Sequence, residues 1–153
     1  MIEVNNLTAS PVDKKFLEKI AGSILKKEKK LDKDLSIALV GSEKMRELNK
    51  KYRGKNLATD VLSFQYGDSG EVAICLPQIK KNARRFAPLE ITGAGEKDKK
   101  KKSLTGFNST FKKELARVLI HGILHLLGYN HEGFKKTAKE MEKKQNYYLK
   151  QLE

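Results

Sequence analysis

The stretch FKKELARVLIHGILHLL, residues 111–127, and the GYNH that follows it constrain this chain more than any other feature. Its length and strongly apolar second half predict a helix. Gly128 predicts where it ends, since a left-handed residue commonly closes a helix and glycine takes that conformation without steric cost. All three histidines of the 153-residue chain fall here, at His121, His125 and His131. Positions four apart stand one above the other on a helix, so His121 and His125 share a face. The reversal at Gly128 lets His131 return to the same point. Three imidazoles that keep a fourth position open form the catalytic arrangement for zinc, whereas structural zinc usually has four protein ligands. A lone histidine is ordinarily a satisfied core or surface residue. Three at this spacing, with no other in the chain, favour a metal site. Cys75 is the only thiol that could close the shell, but VAIC reads as a strand, where cysteine is ordinarily a small buried apolar residue.

The rest of the chain alternates strands with helices. IEVNNLT reads as a strand, and Ser10 with Pro11 as the opening of a helix whose buried stripe is Val12, Phe16, Ile20 and Ile24. LSIALVG is a second strand, after which Ser42 is read as the cap of a short helix carrying Met45 and Leu48. KYRGKNLATD (51–60) has no apolar period and reads as a loop. VLSFQY and EVAICL, joined by GDSG, predict an antiparallel hairpin. Pro77 opens a helix with Ile79, Ala83 and Phe86 on one face. The lysine-rich segment at about 89–109 reads as an exposed loop. A last helix from about residue 134 turns Phe134, Ala138, Met141 and Tyr148 inward. The expectation is a single α/β (α+β) domain over residues 1–153, about four strands in a small mixed sheet packed with about five helices.

A net charge of +13 draws polyanions, of which nucleic acid is the commonest in a cytoplasm. A lysine-biased composition without any ligand would give the same number. A single cysteine excludes a disulfide scaffold and suits a reducing compartment. No apolar run approaches the roughly 18–20 residues of a membrane span, and the first residues do not read as a secretion signal.

The histidine and glycine spacing matches that of the metzincin proteases, H-E-x-x-H-x-x-G-x-x-H, except that Gly122 stands where their glutamate base should be. A metzincin-like protease is therefore the weaker reading, with Glu132, beside the third histidine, a conceivable substitute for that base.

HGILHLLGYNH resembles more closely the signature of the YbeY endoribonucleases, H-G-x-L-H-L-x-G-Y-D-H. A second block, YRGK with ATDVLSF (52–64), is similar to that family's tyrosine–arginine pair and its T-D-V-L-S-F strand. Gly70, Glu71 and Val72 resemble its G-D-I strand, and Met141 and Leu149 fit its terminal helix. The resemblance runs from about residue 47 to the end and is weak before that. Asn130 departs from the family's aspartate and removes a carboxylate beside the third histidine. The lysine-rich segment looks longer than the family's connection, and the hairpin before Gly70 shorter.

The resemblance implies a cytoplasmic, zinc-dependent endoribonuclease of the single-strand type with one Zn2+ per chain, held by His121, His125 and His131. Its substrate would be ribosomal RNA precursor, in small-subunit maturation and ribosome quality control, with ribosome-associated proteins as further partners. Arg53 matches the arginine of the family's loop and is the candidate catalytic residue, its planar fork able to hold two phosphate oxygens. Lys51 and Lys55 flank it and would extend the anionic cradle. A ribosome-assembly factor whose zinc only stabilises the fold is the non-enzymatic alternative.

Overall fold

Nine elements follow one another along the described chain, alternating as far as β3: β1 (Ile2–Asn6), α1 (Lys14–Lys27), β2 (Asp34–Val40), α2 (Ser42–Arg53), β3 (Val61–Tyr66), β4 (Ser69–Cys75), α3 (Leu76–Phe86), α4 (Glu96–Leu126) and α5 (Lys135–Lys150). The computed structural model describes residues 1–86, 96–129 and 135–152. The strands form one sheet in the order β1-β2-β4-β3. β1, β2 and β4 run parallel, and β3 closes one edge antiparallel to β4 through the expected hairpin. The class is α/β, as the alternation of elements predicts.

Alternation along the strands divides the interior in two. Val72 and Ile74 of β4, with Val4, Leu35, Ile37 and Leu39, face a large core built with α1, α3, α4 and α5. Ala73 and Cys75, with Ala38, Val40 and Leu62, face the other way onto Met45 of α2. Helix α4 is the centrepiece, touching β3, β4, α1, α3 and α5. Leu115, Leu119, Ile120 and Ile123 on it are almost wholly buried. Burying each such side chain contributes about 1.5–3 kcal/mol, so α4 anchors the fold. Cys75 is the small buried apolar residue that its strand context suggests.

Several boundaries differ from the sequence expectation. Helix α1 starts at Lys14 and is capped by Asp13, whose carboxylate accepts the Phe16 N–H, rather than by Ser10. Ser10 instead receives the Lys80 ammonium at 2.6 Å. Aspartate caps as well as serine does, and it stands next to the first helical residue. Gly41 occupies the N-cap of α2 and Ser42 is already helical. Helix α2 also continues through Lys51, Tyr52 and Arg53, so the loop begins only at Gly54, which takes the left-handed conformation. Lysine and arginine are good helix formers, and an exposed last turn needs no apolar period. For the same reason residues 96–109, expected as loop, belong to the first half of α4. Lys99 to Lys102 therefore lie in a helix, while residues 87–95 are outside the described ones, as is Phe134. Among the described residues no helix is long and apolar enough to cross a membrane.

Replacing Asp13 by alanine should lower the free energy of unfolding by about 1 kcal/mol, with Asp13→Asn recovering most of it, as measured by urea denaturation.

Candidate active site

Helix α4 brings His121 and His125 together as their spacing predicts: the ring centres are 4.7 Å apart and the planes cross at 75°. Two imidazoles bound to one zinc through Zn–N bonds of about 2.0–2.1 Å place their ring centres about 5 Å apart, so the pair fits a shared ion. The Nδ1 of His121 lies 3.1 Å from Oε1 of Gln145 on α5. In the tautomer that carries its proton on Nδ1, this nitrogen donates to the amide oxygen and Nε2 keeps its lone pair for a ligand. Nothing in the sequence singles out Gln145. It sits among the lysines and glutamates of α5 and reaches His121 only because α5 packs on α4.

The helix ends where expected. Gly128 has φ of +96°. The Tyr129 N–H reaches back to the Leu124 carbonyl at 3.0 Å and that of Gly128 to the His125 carbonyl at 3.1 Å. This closure is of the Schellman kind and redirects the chain immediately after the second histidine. His131, Asn130 and Glu132 lie outside the described residues. Among the described residues, no three histidine, cysteine, aspartate or glutamate side chains gather around one point.

Both histidines open onto a cleft of about 670 Å3 that Arg53, Lys55, Asp60 and Ser63 also line. Arg53 is the last residue of α2, across the sheet from α4, and it reaches the cleft because β3 is an edge strand. The loop behind it is pinned by Asn49, which is only 3% exposed and donates from Nδ2 to the Leu57 carbonyl at 2.9 Å. Lys51 is not part of the lining. Its ammonium sits 5.2 Å over the Tyr52 ring instead, because the two residues from Arg53 back to Lys51 turn a helical side chain by about 200°. Cys75 lies in the smaller core, on the face of the sheet away from α4. Tyr66 is exposed, while Phe64 is half-buried with its ring centre 5.0 Å from that of Tyr52.

Asp60 plays a larger part than the turn-forming residue its sequence context suggests. Its carbonyl accepts the Cys75 N–H, and its carboxylate stands 4.0 Å from Arg117 Nη2. Arg117 is one helical turn before His121 and is gripped by both oxygens of Glu114, at 2.6 and 3.0 Å. That hydrogen bonding, although partly opposed by burial, raises the guanidinium pKa above its ordinary value.

Gly122 accounts for the missing glutamate. Its carbonyl accepts the Ser63 hydroxyl at 2.9 Å, so α4 lies directly on β3. A Cβ there would stand 2.7 Å from Val72 Cγ1, and 3.2 Å from both Ser63 Oγ and Val61 Cγ2. Position 122 faces the sheet rather than the cleft, and a glutamate has no room in this packing.

Fold and cleft together describe an α/β protein whose concave basic face suits an anionic ligand. The family model described as Endoribonuclease YbeY matches residues 3–91 and 97–153. The chain belongs to the YbeY endoribonuclease family. A protein of that name from Thermotoga sp. (strain RQ2) is 37% identical over 124 residues, 79% of this chain and 69% of its own length. Another, from Petrotoga mobilis, is 32% identical over 154 residues, covering 97% of this chain and 92% of its own. The solution structure of a Thermotoga maritima protein superposes with a TM-score of 0.61 at 33% identity, covering 97% of this chain and 87% of that one. The family match reaches back to residue 3, well before residue 47, where the resemblance read from motifs begins. The first three elements bury apolar residues such as Val4, Leu17 and Ile37, positions that many residue types can fill and no short motif records.

Gly122→Ala should lower stability by roughly 1–2 kcal/mol, because an overpacking cost of about 1–3 kcal/mol outweighs the ~1 kcal/mol that alanine gains in a helix. Gly122→Glu should cost more than that, and urea midpoints of the two variants check the order.

Proposed function

We propose that this chain is a zinc-dependent endoribonuclease that cleaves single-stranded segments of ribosomal RNA precursor during small-subunit maturation and ribosome quality control, in the cytoplasm and alongside ribosome-associated proteins. The observation that carries the reading is the meeting of His121 and His125 with Arg53 and Lys55 around one cleft. Family membership supports ribonuclease activity, since the relatives bear that name. The net charge of +13 supports a polyanionic substrate.

In this reading His121, His125 and His131 hold one zinc ion per chain. Bound zinc supplies two things to phosphodiester hydrolysis: it acidifies a water to a pKa of about 7, and it polarises a phosphoryl oxygen. The chain's own residues do the rest. Gln145 keeps His121 in the tautomer that presents Nε2. Arg53 offers two parallel N–H donors to the non-bridging oxygens of the scissile phosphate, where negative charge must be stabilised. Lys55 adds a point charge beside it. Asn49 holds the loop that follows them to the last turns of α2, through the Leu57 carbonyl. Lys51, turned onto Tyr52, serves RNA only from outside the cleft.

Two variants separate the metal from the arginine. His121→Ala should lose its zinc, seen by elemental mass spectrometry, and its cleavage of structured RNA with unpaired segments should fall to background. If its folded, metal-free form cleaves as well as wild type, the metal has only a stabilising role. Arg53→Ala should keep one zinc per chain and lose about 10²–10³-fold in kcat, the usual cost of removing a donor that meets developing charge.

A further inference from the structure

We infer that Glu28, at the far end of α1, is a positioning residue for the metal site, acting through the phenol of Tyr129. The inference rests on the zinc reading proposed above and concerns how the third ligand is presented. Glu28 is the C-cap of α1. Both of its carboxylate oxygens are engaged: Oε2 accepts the Tyr129 hydroxyl at 3.1 Å, and Oε1 accepts the Tyr148 hydroxyl at 2.7 Å and the Lys144 ammonium at 3.0 Å. Three donors from the turn after α4 and from α5 thus converge on one carboxylate. Burial alone would push the Glu28 pKa up, but the hydrogen bonds from Tyr148, Lys144 and Tyr129 outweigh it and hold the group below the ordinary carboxylate range. The node is therefore charged in neutral solution, and its hydrogen bonds are of the stronger, charge-assisted kind.

The four-residue run Gly128 to His131 makes this more than a tie between helices. Tyr129 follows the left-handed glycine and precedes His131 by two residues. Its backbone N–H is committed to the Leu124 carbonyl, its ring packs against the main core, and its hydroxyl is held by Glu28. The point of departure toward His131 is thereby fixed in position and direction. Tyr148 and Lys144 join α5 to α1 through the same carboxylate, a junction that does not require the Tyr129 bond. What it adds is order in the turn. A metal ligand carried beyond a helix end binds more weakly when the segment must be ordered on binding, so order present beforehand appears as affinity.

The test uses the full chain and Zn2+ itself. Zinc dissociation constants are measured by competition with a chromophoric chelator, and stability by urea denaturation of the metal-free protein. Tyr129→Phe, which keeps the ring and loses only the hydroxyl, should weaken zinc binding on the order of 10-fold, as loss of an outer-sphere partner does. Glu28→Gln should weaken it in the same direction. Ile20→Val, a change in the buried core of α1 away from the node, should lower stability and leave the zinc constant unchanged. Wild-type affinity in Tyr129→Phe would overturn the inference, as would equal weakening in Ile20→Val, since the effect would then be general loosening. Absence of zinc binding by the wild-type chain would overturn the zinc reading and this inference together, whereas the first two outcomes would leave the zinc reading standing.

Discussion

The seating of α4 on the edge of the sheet is the constraint from which the rest of the structure follows. At Gly122 the helix backbone lies against Val72 and Val61, and the Ser63 hydroxyl closes the contact by donating to the Gly122 carbonyl. A glycine is needed there because any Cβ meets the sheet. That one contact sets the rotation of α4 about its axis. Leu119, Ile120 and Ile123 then turn into the large core, and His121 and His125 line the cleft instead. A helix rotated by even one residue, about 100°, would bury the imidazoles or present them to open solvent.

The same seating separates this site from the protease pattern that its histidine spacing resembles. In that pattern the residue after the first histidine is a carboxylate base. Here that position is pressed against strands, and the carboxylate in the described lining of the cleft is Asp60, which comes from the loop ahead of β3 and faces Arg117. The cations come from a third direction, the end of α2. Three layers of the fold thus contribute to one cleft: helix α4 the nitrogen donors, the loop before β3 a carboxylate, and α2 with its following turn the guanidinium and ammonium groups. An edge strand makes this possible, because the two faces of a sheet can share a cavity only around its border.

Much of this was legible from local sequence. The helix stop at Gly128, the hairpin of β3 and β4, the pairing of His121 with His125 and the buried role of Cys75 each depend on residues within a few positions of one another. Periodicity and side-chain chemistry act at that range. The errors fell where those signals are silent. An exposed last turn rich in lysine has no apolar period, so Lys51, Tyr52 and Arg53 looked like loop although they are helical. Residues 96–109 misled in the same way. Asp13 rather than Ser10 caps α1 because two competent capping residues stand three apart, and only the path of the chain selects between them.

The sequence by itself determined the alternation of strands and helices, the apolar helix that must be covered, and the pairing of two imidazoles on one face of it. These are consequences of backbone geometry acting over one or two turns. Only the tertiary structure decided which face of that helix meets the sheet, that Gln145 meets His121, that Arg53 shares the histidines' cleft while Lys51 does not, and that Glu28 gathers Tyr129, Tyr148 and Lys144. Each of those relations joins residues from different elements, in the case of Glu28 and Tyr129 101 positions apart. Such partners are selected by how whole elements pack, through shape and buried area summed over many side chains, and no short stretch of sequence carries that sum.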